Sequence, residues 1–208
     1  MKSIAVLSVL AFGVLILQSE PAAPTMEFRN EFIKNFRRDG LSTTPGDAMM
    51  LRILIESRQA TRGVEVGAAY GFGAMNMGIA FERTGGHLYS LEIDPNRVKA
   101  FRRNIKTVGL EETVTCIQGD ALETLKAIEG EFDFVFIDAV KGDYMKYFKL
   151  LEPKLKPNAV IVADNVIRYE RAMPDFLEYI RTNPGYDTVI IRASTEKNDG
   201  MSISYKIR

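Results

Sequence analysis

The chain has too few soft or nitrogen metal ligands to build a zinc centre. Its 208 residues include one cysteine, Cys116, and one histidine, His87, and a His/Cys zinc site needs about four such donors. A single cysteine also excludes an internal disulfide. Charge of one sign is missing as well. Lys plus Arg and Asp plus Glu number 27 each, so the formal net charge is zero, which argues against general nucleic-acid binding. The basic cluster Arg102, Arg103 and Lys106 reads as the solvated face of a helix. Long apolar runs are absent too: the uncharged run from Ile4 to Leu17 has 14 residues, against the roughly 20 that a membrane-spanning helix needs. No internal repeat or second domain is visible.

What remains is the composition of a soluble globular protein, 46% hydrophobic and 26% charged, long enough for one well-packed domain. Residues 1–25 differ from the rest. Lys2, the uncharged run and QSEPAAP have the parts of a secretory signal. An apolar helix packing on the fold, on a membrane or on another subunit is a second reading, and an upstream extension before Met26 is a third. The domain is expected over residues 26–208.

The chain is organised around VEVGAAYGFG, residues 64–73. A short apolar strand carrying one acid, Glu65, runs into glycines at 67, 71 and 73, and a helical stretch follows. Glycine lets the backbone take positive φ and approach a ligand closely, and the first N–H groups of a helix have no partner within it. The spacing G-x-x-x-G-x-G departs from the dinucleotide fingerprint G-x-G-x-x-G, which disfavours a nicotinamide cofactor. Glu65 would repel a diphosphate and suits a ligand with a cationic part.

Downstream, apolar runs and helical periodicities alternate. Strands are expected at His87–Glu92, Val114–Gln118, Phe132–Ile137 and Ala159–Ala163, each followed by a helix. Two last strands, Thr188–Ile191 and Ser202–Ile207, should form an antiparallel hairpin across a polar connection from Ala193 to Met201. The expectation is therefore an α/β, doubly wound, seven-stranded, mostly parallel sheet with helices on both faces. The run at Phe132–Ile137, apolar except for Asp133, should be central. Asp143 should cap the helix that follows it. Cys116, in an apolar run, should be an inert core residue.

In such sheets ligands lie beyond the carboxyl ends of the strands. Gly67, Glu92, Asp120, Asp138, Asp164 and Asn165 stand there. An acid ending the second strand can accept from a ribose diol, which is the reading for Glu92. Asp120 and the backbone of Ala121 could hold an adenine edge, or Asp120 could simply cap a helix. Asp138, Asp164 and Asn165 offer only oxygen donors, a set suited to Mg²⁺ and next to Ca²⁺ or Mn²⁺; the alternative is an acidic rim held by water. Lys141, three residues beyond Asp138, reads from position alone as a salt-bridge partner.

Together VEVGAAYGFG, GDA, IDAVKGDY at 137–144 and ADNV at 163–166 resemble the cation-dependent O-methyltransferases, the catechol and caffeoyl-CoA enzymes and their bacterial relatives. The likeness runs from about Thr44 to Arg208. It implies a Rossmann-like class I methyltransferase fold. It implies S-adenosylmethionine (SAM) held by Glu65, Gly67, Ala68, Gly71, Gly73, Glu92, Asp120, Ala121 and Asp138. It implies a divalent cation, Mg²⁺ by preference, on Asp138, Asp164 and Asn165, with Lys141 as the base. The implied substrate is a small hydroxylated aromatic, the implied compartment the cytoplasm, and a homodimer is compatible with it. A tRNA hydroxynucleoside methyltransferase and a non-catalytic nucleotide-binding protein are the alternatives. Three positions depart from the catechol pattern. Ser202 stands where catechol enzymes carry a glutamate, Val140 where the mammalian enzyme has a tryptophan, and the segment from Val166 to Met173 is short.

Overall fold

A computed structural model describes residues 23–194 and 196–207; the apolar run from Ile4 to Leu17 lies outside them. A seven-stranded sheet has the order β3-β2-β1-β4-β5-β7-β6. Its strands are β1 (Arg62–Val66), β2 (His87–Glu92), β3 (Val114–Gln118), β4 (Phe132–Ile137), β5 (Leu155–Ala163), β6 (Tyr186–Ser194) and β7 (Asp199–Lys206). Pairings from β3 across to β5 are all parallel. β7 enters between β5 and β6, antiparallel to both. The strand order reverses where β1 sits between β2 and β4, the place where open α/β sheets bind ligands.

Seven helices accompany the strands among the described residues. They are α1 (Met26–Lys34), α2 (Pro45–Arg58), α3 (Phe72–Thr84), α4 (Pro95–Thr107), α5 (Ala121–Ala127), α6 (Tyr144–Leu151) and α7 (Pro174–Thr182). None is long and apolar enough to cross a membrane. Their starts follow local chemistry. Thr44 Oγ1 accepts from Asp47 N at 3.2 Å, Asp94 Oδ1 from Asn96 N at 2.7 Å, and Asp120 Oδ1 from Leu122 N at 2.9 Å. Each satisfies an amide that the helix cannot. Proline in the first turn of α2, α4 and α7 costs no hydrogen bond.

β4 shows why a central strand is apolar throughout. Phe134 and Phe136 pack with α2 and α3 on one face, while Val135 and Ile137 pack with α6 and α7 on the other. Its exception, Asp133, is 4% exposed and accepts from Thr61 N, Thr61 Oγ1, Arg62 N and Lys156 Nζ at 2.9–3.2 Å. Burial pushes that carboxyl up, but these donors outweigh it and hold it below the usual range. The acid clamps the start of β1 to β4.

Three local readings are corrected. The β6–β7 ladder runs on to the pair Ser194 and Asp199, so the connection is four residues, not the whole polar stretch from Ala193 to Met201. Polarity misleads there because a ladder at the sheet's edge needs backbone pairing rather than two buried faces. Asp143 occupies the capping position of α6 but caps no amide; its carboxylate takes Lys146 Nζ at 2.7 Å. Cys116 is half-buried rather than core, although burial raises its thiol to about 11 and so keeps it protonated and inert.

Candidate active site

The sheet register assembles the site. Val66 pairs with Leu91 on one side and Ile137 on the other, and Ile137 pairs with Ala163. The next residues along each strand, Gly67, Glu92, Asp138 and Asp164, therefore stand side by side on one rim. A cavity of about 690 Å³ opens there. Of the residues singled out from sequence, Gly67, Glu92, Asp120, Ala121, Asp138, Lys141 and Asn165 line it. Glu65, Ala68, Gly71, Gly73 and Asp164 lie outside its lining. Glu65, Ala68 and Gly73, with Gly67 and Asp138, instead line a recess of about 10 Å³, room for about one water.

The glycine loop meets two demands. Gly67 has φ +93°, and a Cβ there would collide with the Asp138 carbonyl; β1 and β4 approach too closely at this point for any side chain. Gly71, at φ +89°, lets the chain turn into α3 beneath the Phe101 ring, 2.9 Å from where a Cβ would stand. Gly71 thus serves packing. Ala69, missed in the sequence, lines the cavity at φ +46°. Its N–H donates to Glu92 Oε2 at 2.8 Å, while Glu92 Oε1 accepts from Asp94 N at 2.9 Å and lies 3.7 Å from Arg97. Glu92 is held from both sides, and each oxygen retains a lone pair for a ligand in the cavity.

Glu65 is 2% exposed, and its Oε2 has no hydrogen-bond partner. Burial raises its carboxyl to about 8. The Ser90 hydroxyl pulls it back, and the charges of Asp138 and Glu92 add to the rise. The loop therefore carries a proton or meets a cation.

At the other end of the rim, Asp164 is 1% exposed. Its Oδ1 accepts from Asn165 N at 2.7 Å and its Oδ2 has no partner. Burial and then the neighbouring charge of Asp138 raise it to about 7. Asn165 takes φ +62°, a backbone region that asparagine tolerates. Its Nδ2 donates to Asp199 Oδ2 at 3.2 Å, which leaves its Oδ1 as acceptor. An orphaned buried carboxylate oxygen, a second carboxylate that repels it and an amide oxygen fit a hard divalent cation. Two carboxylates and one amide make up this candidate centre; among the described residues no three His, Cys, Asp or Glu side chains converge in a metal-binding group.

Lys141 Nζ donates to Asp138 Oδ1 at 2.8 Å and to Tyr144 Oη at 3.0 Å. Tyr144 is fully buried and donates onward to the Asp164 carbonyl at 3.0 Å. Burial, followed by the charges of Asp138 and Asp164, raises its phenol well above the ordinary value, so it remains a donor. The salt bridge expected from position is present, and Tyr144 ties the lysine to both strand ends.

Asp199 also escaped the sequence reading. It is 1% exposed, and its carboxylate accepts from Ile167 N, Arg168 N and Gly200 N at 2.8–3.2 Å besides Asn165 Nδ2. It holds the whole turn after β5. The only hint in the sequence is an acid before a glycine. Arg168, Tyr169 and Lys197, which complete the cavity's lining beyond Asn165, gave no signal because they come from irregular segments.

Comparison with known proteins gives the family and the fold. A family model described as O-methyltransferase matches residues 19–175. A catechol O-methyltransferase of Niastella koreensis is 29% identical over 181 residues, covering 79% of this chain and 81% of the relative. A catechol O-methyltransferase of Mycobacterium tuberculosis is 29% identical over 167 residues, 74% and 76% of the two chains. Among solved structures, the O-methyltransferase of Bacillus cereus in complex with SAH superposes with TM-score 0.77 at 23% identity, covering 92% of this chain and 93% of that one.

Proposed function

We propose, from the premise that this chain belongs to the O-methyltransferase family, that it transfers a methyl group from SAM to a hydroxyl of a small catechol-like aromatic with the help of a divalent cation. The observation that carries this reading is a single cavity lined by Gly67, Glu92, Asp138, Lys141 and Asn165, with Glu65 and Asp164 buried outside its lining. The Gly67–Glu92 loop, with its buried acid, suits a cationic nucleoside. The Asp138–Asp164–Asn165 cluster, with its orphaned oxygen, suits a hard cation beside Lys141. SAH in the Bacillus cereus structure and the catechol names of the relatives support it.

Glu92 would hold the ribose of the cofactor through its remaining lone pairs, with Asp120 and Ala121 beside the base. Asp138, Asp164 and Asn165 would hold the cation. When bound, SAM supplies an electrophilic methyl group, and the cation acidifies a nearby acceptor hydroxyl. The chain's own work is proton handling and orientation. Lys141, once neutral, takes the hydroxyl proton on Nζ. Asp138 and Tyr144 fix that nitrogen, and Asp138 stabilises the ammonium that results. The walls of the cavity bring both reactants together in one orientation, which converts an encounter into a positioned step. Ser202, where catechol enzymes carry an acid, is 1% exposed within β7 and outside the cavity lining, so recognition of the ring falls to other residues.

Incubation with methyl-labelled SAM and catechol, with Mg²⁺ or with EDTA, tests the reading. Label in the catechol product with Mg²⁺ and loss of turnover with EDTA are expected. Full turnover after rigorous chelation would remove the cation, and the absence of SAM binding by calorimetry would remove the function.

A further inference from the structure

The cavity end beyond Asn165 carries charge that the methyl-transfer site does not use. Most ionic groups of the lining are already matched. Lys141 pairs with Asp138 at 2.8 Å, Arg97 lies 3.7 Å from Glu92, and Asp143 takes Lys146 at 2.7 Å. Lys197 donates to the Ser42 carbonyl at 2.8 Å. The Arg168 guanidinium has no carboxylate within ion-pair distance among the described residues. Its backbone is nevertheless fixed, because Arg168 N donates to the buried Asp199 at 2.9 Å, and the same carboxylate holds Asn165. The backbone that carries the guanidinium is therefore tied to the turn that also carries Asn165.

Tyr169 is a common neighbour of the guanidinium and of Lys141. Lys141 Nζ lies 6.0 Å from its ring centroid and the Arg168 guanidinium carbon 5.5 Å. Both cations lie near the one aromatic ring, and all three residues line the same cavity. An aromatic acceptor bound alongside Tyr169 in that cavity would meet Lys141 with a hydroxyl and Arg168 with a charged substituent. A planar guanidinium reads a planar carboxylate bidentately.

We propose that the methyl acceptor is an aromatic acid, a hydroxylated ring whose carboxylate pairs with Arg168 while a hydroxyl faces Lys141. This rests on the reading of the site as a hydroxyl methyltransferase and adds the acceptor's charge to it. Arg168 would then be a specificity residue, acting on which acceptor binds rather than on the transfer.

The test compares 3,4-dihydroxybenzoate with its methyl ester, which has the same ring and hydroxyls without the charge, using the full chain with SAM and Mg²⁺. The kcat/KM ratio of acid to ester should exceed one. In Arg168→Ala that ratio should fall by roughly 10–100-fold, the range of a charge-assisted hydrogen-bonded pair, mainly through KM of the acid. Arg168→Lys should keep part of the preference, and Arg168→Glu should invert it. Arg168 is exposed, so unchanged melting temperatures should accompany these effects. Turnover of both compounds with no preference, or a ratio that Arg168→Ala leaves alone, would overturn the proposal while leaving the methyltransferase reading intact. Transfer to neither compound would overturn both.

Discussion

Glu65 gives a quantitative check on the electrostatics of the cofactor loop. Its carboxyl titrates at about 8 when folded, against 4.5 for an ordinary glutamate. Between those values the folded chain keeps a proton that the unfolded chain has released. The unfolded state then binds fewer protons, so stability falls as pH rises through the window, at about 1.4 kcal/mol per pH unit. From pH 5.5 to 7.5 this single group should cost on the order of 2–3 kcal/mol, a large part of an ordinary domain's margin. Glu65→Gln keeps the shape and the neutral state at every pH. Urea unfolding of the wild type and the variant at pH 5.5, 6.5 and 7.5, in EDTA and without SAM, isolates the term as a difference. The variant should gain about 1.4 kcal/mol per pH unit on the wild type. A difference that stays constant across the range would refute the reasoning and leave Glu65 ionised without penalty.

Two further outcomes follow from the same geometry. Glu92→Ala should weaken SAM and SAH binding, measured calorimetrically, by roughly 10-fold or more, since hydrogen bonds to a charged group are worth about 1.5–3 kcal/mol; unchanged affinity would take Glu92 out of the site. Removing residues 1–22 should leave a cooperatively unfolding, SAM-binding domain, provided the cut spares Thr25, whose side chain accepts from Phe28 N at 3.2 Å at the start of α1; loss of cooperative unfolding would make the N-terminal segment part of the core.

The strand–helix alternation was legible because burial writes itself into sequence. β4 is apolar on both faces since two helical layers cover it, and the acids at successive strand ends could be read as a rim before the sheet order was known. The rim needed only that parallel strands end together. Less visible was everything decided by long-range contact. Asp199 looks like any turn acid until β7 slots beside β5 and turns it toward Asn165. Gly71, chosen for a ligand loop, answers to Phe101 from another helix. The partnership of Lys141, Tyr144 and Asp164 depends on a short helical turn placing Tyr144 inward, where no periodicity specifies the hydrogen bond. Arg168 and Tyr169 lie in irregular backbone, which leaves no repeating trace for a reader of sequence.

The central claim is that Lys141 takes the proton in a cation-assisted methyl transfer. The most direct measurement is kcat for Lys141→Met on a catechol acceptor with saturating SAM and Mg²⁺, together with SAM affinity and melting temperature of the same protein. Methionine keeps the length of the stem and removes the amine that bonds Asp138 and Tyr144. The account predicts a fall in kcat of roughly 10²–10⁴-fold, with SAM affinity and melting temperature little changed. A stable Lys141→Met protein that binds SAM and turns over at a near-normal rate would contradict it.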